Sequence, residues 1–440
     1  MSSSSATHSA PAEASPDALL PTPASATRSP RAVDLSWVIS LFGTAVGAGV
    51  LFLPINAGAG GLWPLLIVTI LIGPMTYYSH RALARFVCVS PKQGEDITVV
   101  AEDYFGPGVG KAITVLYFFA IYPIVLIYGV SITNTVDSLL VNQLGLPQIP
   151  RPVLSFVLIA LMMLVMIMGE RIMLTVTQFL VYPLILALLA ISLYLIPSWH
   201  IGDLAHLPQG GVGGLAMSIW LVIPVLVFAF NHSPAISQFS LSMQRTHGKA
   251  SAERASWVLR RSAALLVIFT MLFVWSCVLS LGTDGLAAAR EANLPVLSYL
   301  ANVHGAPVIA YAGPAIAIVA ICSSFFGHYL GAAEGAQGLV RGFAPRVAES
   351  WGTRKSAVIV AVFIFLTTWL TAILNPGILA VIESLSGPVI AAILYIMPMI
   401  AIHKVPALAP YRGKISNVFV VITGLIAISG ILFSVIRLFV

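Results

Sequence analysis

Eleven stretches of roughly twenty mostly apolar residues follow one another along this chain, and no other feature constrains its fold as tightly. They lie near 35–59, 62–82, 112–140, 152–169, 172–196, 214–242, 257–281, 306–340, 356–374, 377–402 and 416–438; the fourth is the shortest. Each is long enough to cross about 30 Å of hydrocarbon. Lipid offers no partner to an unpaired N–H or C=O, and the stretches are too long for barrel strands, so they are expected to be helices. The chain as a whole agrees, being 58% hydrophobic and only 9% charged. A water-soluble domain carries about 25% charge.

Residues 1–33 are different material, rich in Ser, Ala, Pro and Thr and without apolar periodicity. They read as a disordered cytoplasmic tail, with a polytopic membrane domain over 34–440. The tail lacks the basic start, short apolar core and cleavage site of a secretory signal. Cys88, Cys277 and Cys322 stand alone, so neither a metal site nor a disulfide framework is expected, and nothing calls for a cofactor.

The basic residues orient the spans. With the amino terminus in the cytoplasm, 19 of the 22 Lys and Arg residues fall on the inner side, and only Arg151, Arg290 and Arg437 fall outside. The net charge of +6 is therefore a topology signal rather than a nucleic-acid footprint. The expected location is the cell inner (plasma) membrane, with the carboxyl terminus extracellular or periplasmic.

Two spans look broken. Span 1 holds Gly43-Thr44-Ala45-Val46-Gly47-Ala48-Gly49 and then Pro54. Three glycines weaken a helix and allow close approach, either to a ligand or, as the Gly43–Gly47 spacing also allows, to another helix. Span 6 holds Phe230-Asn231-His232-Ser233-Pro234, where the proline removes a donor and clashes with the preceding turn, so helical bonding should fail near 230–234. Spans 1 and 6 are five apart. If spans 1–5 (about 35–196) and 6–10 (about 214–402) are repeats, the second inserts upside down, and the helix over 416–438 is extra. Interrupted spans in matching places point to a transporter binding site near the midplane. Half-helix amino termini there suit a carboxylate and freed carbonyls suit an ammonium, which favours a small amino acid. The candidate substrate residues are Thr44, Gly47, Ala48, Gly49, Phe230, Asn231, His232 and Ser233.

Span 8 adds Ser323, Ser324, Gly327, His328, Gly331, Glu334 and Gly335, a small polar face on an apolar helix. Ser323, Ser324, His328 and Glu334 are the candidates for coupling to an ion, a proton or sodium. Glu334 is equally placed to be solvated at the helix end or paired with Arg341, and His328 to bond a neighbouring carbonyl. Glu383 in span 10 is another membrane carboxylate, and Asn134 and Asp137 are candidates for an outer vestibule. Tyr117, Tyr122, Tyr128, Trp220 and Trp275 read as packing or interfacial anchors. No lysine occurs between Lys111 and Lys249, and the polar groups of span 5 include Thr175, Thr177 and Gln178.

The run from Ser40 to Pro54 resembles the first span of the bacterial hydroxy and aromatic amino-acid permeases. Ser79–Arg85, Tyr128–Thr135, Leu294–Leu300 and Ser323–Leu330 resemble the serine/threonine-transporter branch of that family. The resemblance covers nearly everything after the tail. It implies the amino-acid/polyamine/organocation superfamily, an all-α leucine-transporter-like fold of five plus five helices with an eleventh, and proton symport of serine or threonine. A sodium-coupled or aromatic amino-acid permease of the same fold is the near alternative, and a channel or sensor fits the same topology. A membrane enzyme is disfavoured because His232 lies on a different span from His328 and Glu334, and the three show no metal or nucleophile–base spacing. No nucleotide-binding loop is present.

Overall fold

The computed structural model describes residues 29–167, 170–303 and 307–439, and every regular element among them is helical. Residues 1–28, which hold most of the expected tail, lie outside the described residues, as do the side chains of Thr175, Thr177, Gln178 and Glu383.

Ser29 accepts from the Ala32 N–H and Pro30 follows at the first helical position, so α1 (Pro30–Ala45) starts inside the stretch expected to be tail. Its first turn is anchored. Asp34, wholly buried, accepts 2.8 Å from His247 Nε2 and 2.6 Å from Arg254 Nε. A buried carboxylate is tolerated only when paired in this way, so the start of span 1 is tied to the end of span 6 and the start of span 7.

After α1 come α2 (Ala48–Gly58), α3 (Leu62–Cys88), α4 (Ile97–Ser138), α5 (Arg151–Ile167) and α6 (Glu170–Tyr194). The second half holds α7 (Gly211–Ala229), α8 (Ser233–His247), α9 (Ser251–Glu291), short α10 (Val296–Val303), α11 (Pro307–Phe343) and α12 (Pro345–Leu374). Next, α13 (Ile378–Val381), α14 (Gly387–Ala391) and α15 (Met397–Lys404) are joined by π-helical turns, and α16 (Ile415–Phe439) ends the chain. Gly106, at φ 80°, sharply bends α4 before Pro107, and Gly352, at φ 62°, does the same in α12. Among the described residues eight helices are long and apolar enough to cross a membrane, or nine when the bent α1–α2 pair counts as one span. Arg151–Ile167 and Ile415–Gly430 are shorter apolar helices. The protein is thus an all-helical, multi-pass membrane protein.

Burial sorts these helices by neighbour. α5, α12 and α16 leave Ile167, Leu370, Leu374 and Val418 exposed, as surfaces facing lipid do. By contrast α2 is buried at every residue, and α7 is buried from Val222 to Ala229. The two broken spans therefore occupy the centre of the bundle. At the end of α4 away from Gly106, Asn134 Nδ2 donates to Asn293 O at 3.0 Å and to Asn375 Oδ1 at 3.1 Å. The expected vestibule residue thus ties α4 to the loops before α10 and α13.

Candidate functional site

Span 1 breaks between Ala45 and Ala48, with a bend of 57°. In an uninterrupted helix the Thr44 carbonyl would receive the Ala48 N–H. Here it accepts from Ser324 Oγ at 2.8 Å. Since the Ser324 hydroxyl hydrogen is committed to that carbonyl, its oxygen accepts from the Tyr128 hydroxyl at 2.6 Å. The resulting relay, Tyr128 to Ser324 to Thr44, joins α4, α11 and α1. His328 Nδ1 donates to the Ser324 carbonyl at 2.9 Å, so the imidazole is anchored within its own helix.

Gly47 stands where no side chain fits. A Cβ there would lie 2.4 Å from Ser324 Oγ and 2.8 Å from the Tyr128 oxygen. No side chain caps the helix that begins after it, so the amino terminus of α2 presents its first N–H groups without a built-in acceptor. The glycines also pack: a Cβ on Gly43 would meet Val181 at 2.3 Å. The close approach at both glycines is to neighbouring helices, Gly43 to α6 and Gly47 to α11 and α4, and at Gly47 the helix is also interrupted.

Span 6 breaks between Ala229 and Ser233, within the stretch where the proline called for it. Asn231 N–H reaches back to Phe228 O at 3.1 Å, and Asn231 Oδ1 accepts the Ser233 N–H at 3.0 Å. The His232 N–H leaves its own helix and donates to His80 Nε2 on α3 at 3.1 Å. Asn231 and His232 are each 1% exposed, yet Asn231 Nδ2 and His232 Nε2 have no partner. Buried polar atoms left open in this way call for a ligand or water.

The two breaks touch. A Cβ on Gly49 would lie 2.7 Å from the Phe228 ring and 2.9 Å from Ala229 Cα. α11 spans both, with Gly327 against Thr44 and Gly331 against Pro234. Thr44, Gly47, Ala48, Gly49, Phe230, Asn231, His232, Ser233, Ser324 and His328 are buried around this contact. Ser323 is buried too, but its hydroxyl donates to Ala320 O in its own helix at 3.1 Å. Glu334 lies about 15 Å farther along α11, by helix rise. Its Oε1 is buried without a partner, while Arg341 reaches Asp96 at 3.5 Å instead. A groove of about 550 Å³ between α15 and α16, lined by His403, Arg412 and Val418, lies apart from the breaks. Among the described residues no three His, Cys, Asp or Glu side chains cluster as metal ligands.

Two residues exceed their reading from sequence. Tyr128, expected as an anchor, donates to Ser324, the residue that completes the break of span 1. His80 stood only within a family-like stretch. The sequence bounds put it at the end of span 2, beside Arg81, and only the extension of α3 to Cys88 places this ionisable side chain within the helix.

Residues 34–438 match the model of the tryptophan/tyrosine permease family. The chain belongs to that family. This permease is 51% identical over 408 residues to the serine transporter SdaC of Escherichia coli, covering 92% of this chain and 95% of that one. It is 43% identical over 425 residues to the threonine/serine transporter TdcC of Escherichia fergusonii, covering 92% and 96%. Among solved structures the permease is similar to MhsT, crystallised with L-phenylalanine, at a TM-score of 0.59 and 16% identity, covering 91% and 98%. It is also similar to Mhp1, a nucleobase-cation-symport-1 family transporter, at a TM-score of 0.56 and 15% identity, covering 91% and 92%. At such identities the structural likeness concerns the fold alone. Family membership makes the chain a membrane permease and not an enzyme.

Proposed function

We propose that this permease is a secondary active transporter that imports serine, threonine or both across the cell inner membrane by proton symport. The observation that carries the reading is the contact of two broken spans, each leaving polar groups open inside the bundle. The similarity to transporters of serine and of threonine and serine supports the substrate class. The carboxylate would sit at the uncapped start of α2, on the N–H groups after Gly47, where the helix dipole favours an anion. The ammonium would face carbonyls at the ends of α1 and α7, beside Thr44 and Phe230. Asn231 Nδ2, His232 Nε2 and the Ser233 hydroxyl would meet the substrate hydroxyl.

The architecture we infer has eleven membrane helices, with Arg151–Ile167 fourth and Ile415–Phe439 eleventh, as two inverted repeats plus one helix. The amino terminus would be cytoplasmic, on the strength of the basic-residue asymmetry. A reporter active only in the cytoplasm, fused after Val440, should then be silent; a strong signal would remove one span and the repeat with it.

Coupling would run through Ser323, Ser324, His328 and Glu334. Glu334 is the proton carrier of choice, a carboxylate with an open buried oxygen that protonation would neutralise before closure. The competing reading uses no titrating side chain and puts sodium on Ser323, Ser324 and span-1 carbonyls. Counterflow in proteoliposomes against all twenty amino acids tests the substrate, with serine and threonine expected to exchange fastest. Uptake should persist without sodium and collapse when the pH gradient is dissipated. Glu334→Gln should keep exchange and lose accumulation. Sodium-dependent uptake with a normal Glu334→Gln variant would overturn proton coupling and leave the carrier standing.

A further inference from the structure

Two imidazoles lie face to face inside the bundle. The rings of His80, in mid-α3, and His232, in the span-6 break, are 3.5 Å apart between centroids and 9° from parallel. Both residues are 1% exposed. Their hydrogen bonds fix which nitrogen carries the proton. His80 Nδ1 faces the Thr76 carbonyl at 2.8 Å, which can only accept. His80 Nε2 faces the His232 backbone N–H at 3.1 Å, which can only donate. The His80 ring is therefore the neutral Nδ1–H tautomer, acting as donor to its own helix and acceptor for another. His232 Nδ1 faces the Phe230 carbonyl at 3.1 Å and likewise carries the proton. Its Nε2 is left as a bare, buried lone pair.

The break needs that outside acceptor. An intact helix would give the His232 N–H to the Phe228 carbonyl, but the Asn231 N–H already occupies it. The Ser233 N–H is held by Asn231 Oδ1, and Pro234 has none to give. Of these freed donors, the His232 N–H is the one satisfied from a different helix.

We propose that His80 is a positioning residue for substrate selection: it anchors the span-6 break at the His232 N–H and, through the stack, holds the His232 ring with Nε2 open to accept the substrate hydroxyl. The inference rests on the binding site proposed above. A lone-pair acceptor set in place rewards a substrate that carries an O–H and leaves one that lacks it with a buried atom unpaired. That asymmetry is how a site separates serine from alanine rather than merely by size.

The test uses the full-length permease in proteoliposomes with two substitutions. His80→Phe keeps a flat ring for the stack and removes the acceptor. His80→Gln removes the ring and restores an acceptor near the position of Nε2. Hydrogen exchange of the peptide across 228–236, without substrate, should quicken roughly tenfold or more in His80→Phe and stay near wild type in His80→Gln. In competition counterflow, His80→Phe should lose most of the preference for serine over alanine while alanine exchange falls less; His80→Gln should recover part of that preference. Unchanged exchange in His80→Phe, or equal losses for serine and alanine, would overturn the proposal. If wild-type protein fails to exchange serine at all, the substrate reading falls, and the exchange measurement still decides whether His80 anchors the break. Should His80→Phe not fold, His80→Met against His80→Gln makes the same comparison at matched length.

Discussion

The two broken spans solve opposite problems with opposite chemistry. Span 1 breaks without a proline, and the freed group that a neighbouring helix completes is an acceptor, the Thr44 carbonyl, which a hydroxyl from α11 satisfies. Span 6 breaks at a proline, and what it leaves over is a donor, the His232 N–H, which an imidazole lone pair from α3 satisfies. Gly47 is needed for space: its torsions are extended, but Ser324 and Tyr128 occupy the place of a Cβ. Pro234 is needed for the donor it lacks. One break is therefore set by what a neighbour will not make room for, the other by what the chain itself cannot bond. Substitutions should separate the two.

The largest effect is expected at Gly47. Gly47→Val drives carbon into Ser324 and Tyr128 and covers the uncapped start of α2. Uptake should fall to background while the amount of protein in the membrane is unchanged. Normal uptake would mean that the first break packs helices and binds nothing. Ser324→Ala comes next. It leaves the Thr44 carbonyl buried without a partner, at about 1–3 kcal/mol, so the KM for serine should rise roughly tenfold or more. A variant with a normal KM would show that the freed carbonyl finds another donor.

At the second break the expectation is a change of ranking rather than a general loss. His232→Phe keeps the stacked ring and removes both nitrogens. Relative uptake of serine, threonine and larger substrates should shift by roughly tenfold, the worth of about one hydrogen bond in the handling of the hydroxyl. Equal losses for every substrate, with ion dependence intact, would count against a selective role for span 6. The smallest effect belongs to Tyr128→Phe. It deletes the outer donor of the relay and leaves the Ser324–Thr44 bond, so a loss of about 1 kcal/mol, roughly fivefold in KM, is expected. A larger loss than at Ser324→Ala would make the tyrosine, not the serine, the group on which the first break depends.

Helix existence and the places of both breaks were legible from the residues, because each follows from local rules. Apolar length demands a helix in lipid, Pro234 stops one, and three glycines weaken another. The face of α11 was also legible, since Ser324 and His328 lie one turn apart on one side. Its division of labour was not. Ser323 and Ser324 are neighbours of the same type, but one hydroxyl turns to its own helix and the other crosses to Thr44. Which does which depends on where α1 stops, a point 280 residues away in sequence.

The sequence by itself thus determined an all-helical, multi-pass membrane protein with two interrupted spans, since hydropathy, proline and glycine act within a few residues of themselves. The tertiary structure decided which side chains complete the breaks. A freed carbonyl or N–H is satisfied by whatever donor or acceptor packing brings within about 3 Å, and Ser324 and His80 reach those groups only because α11 and α3 pass beside them. Spacing along the chain carries no record of that distance.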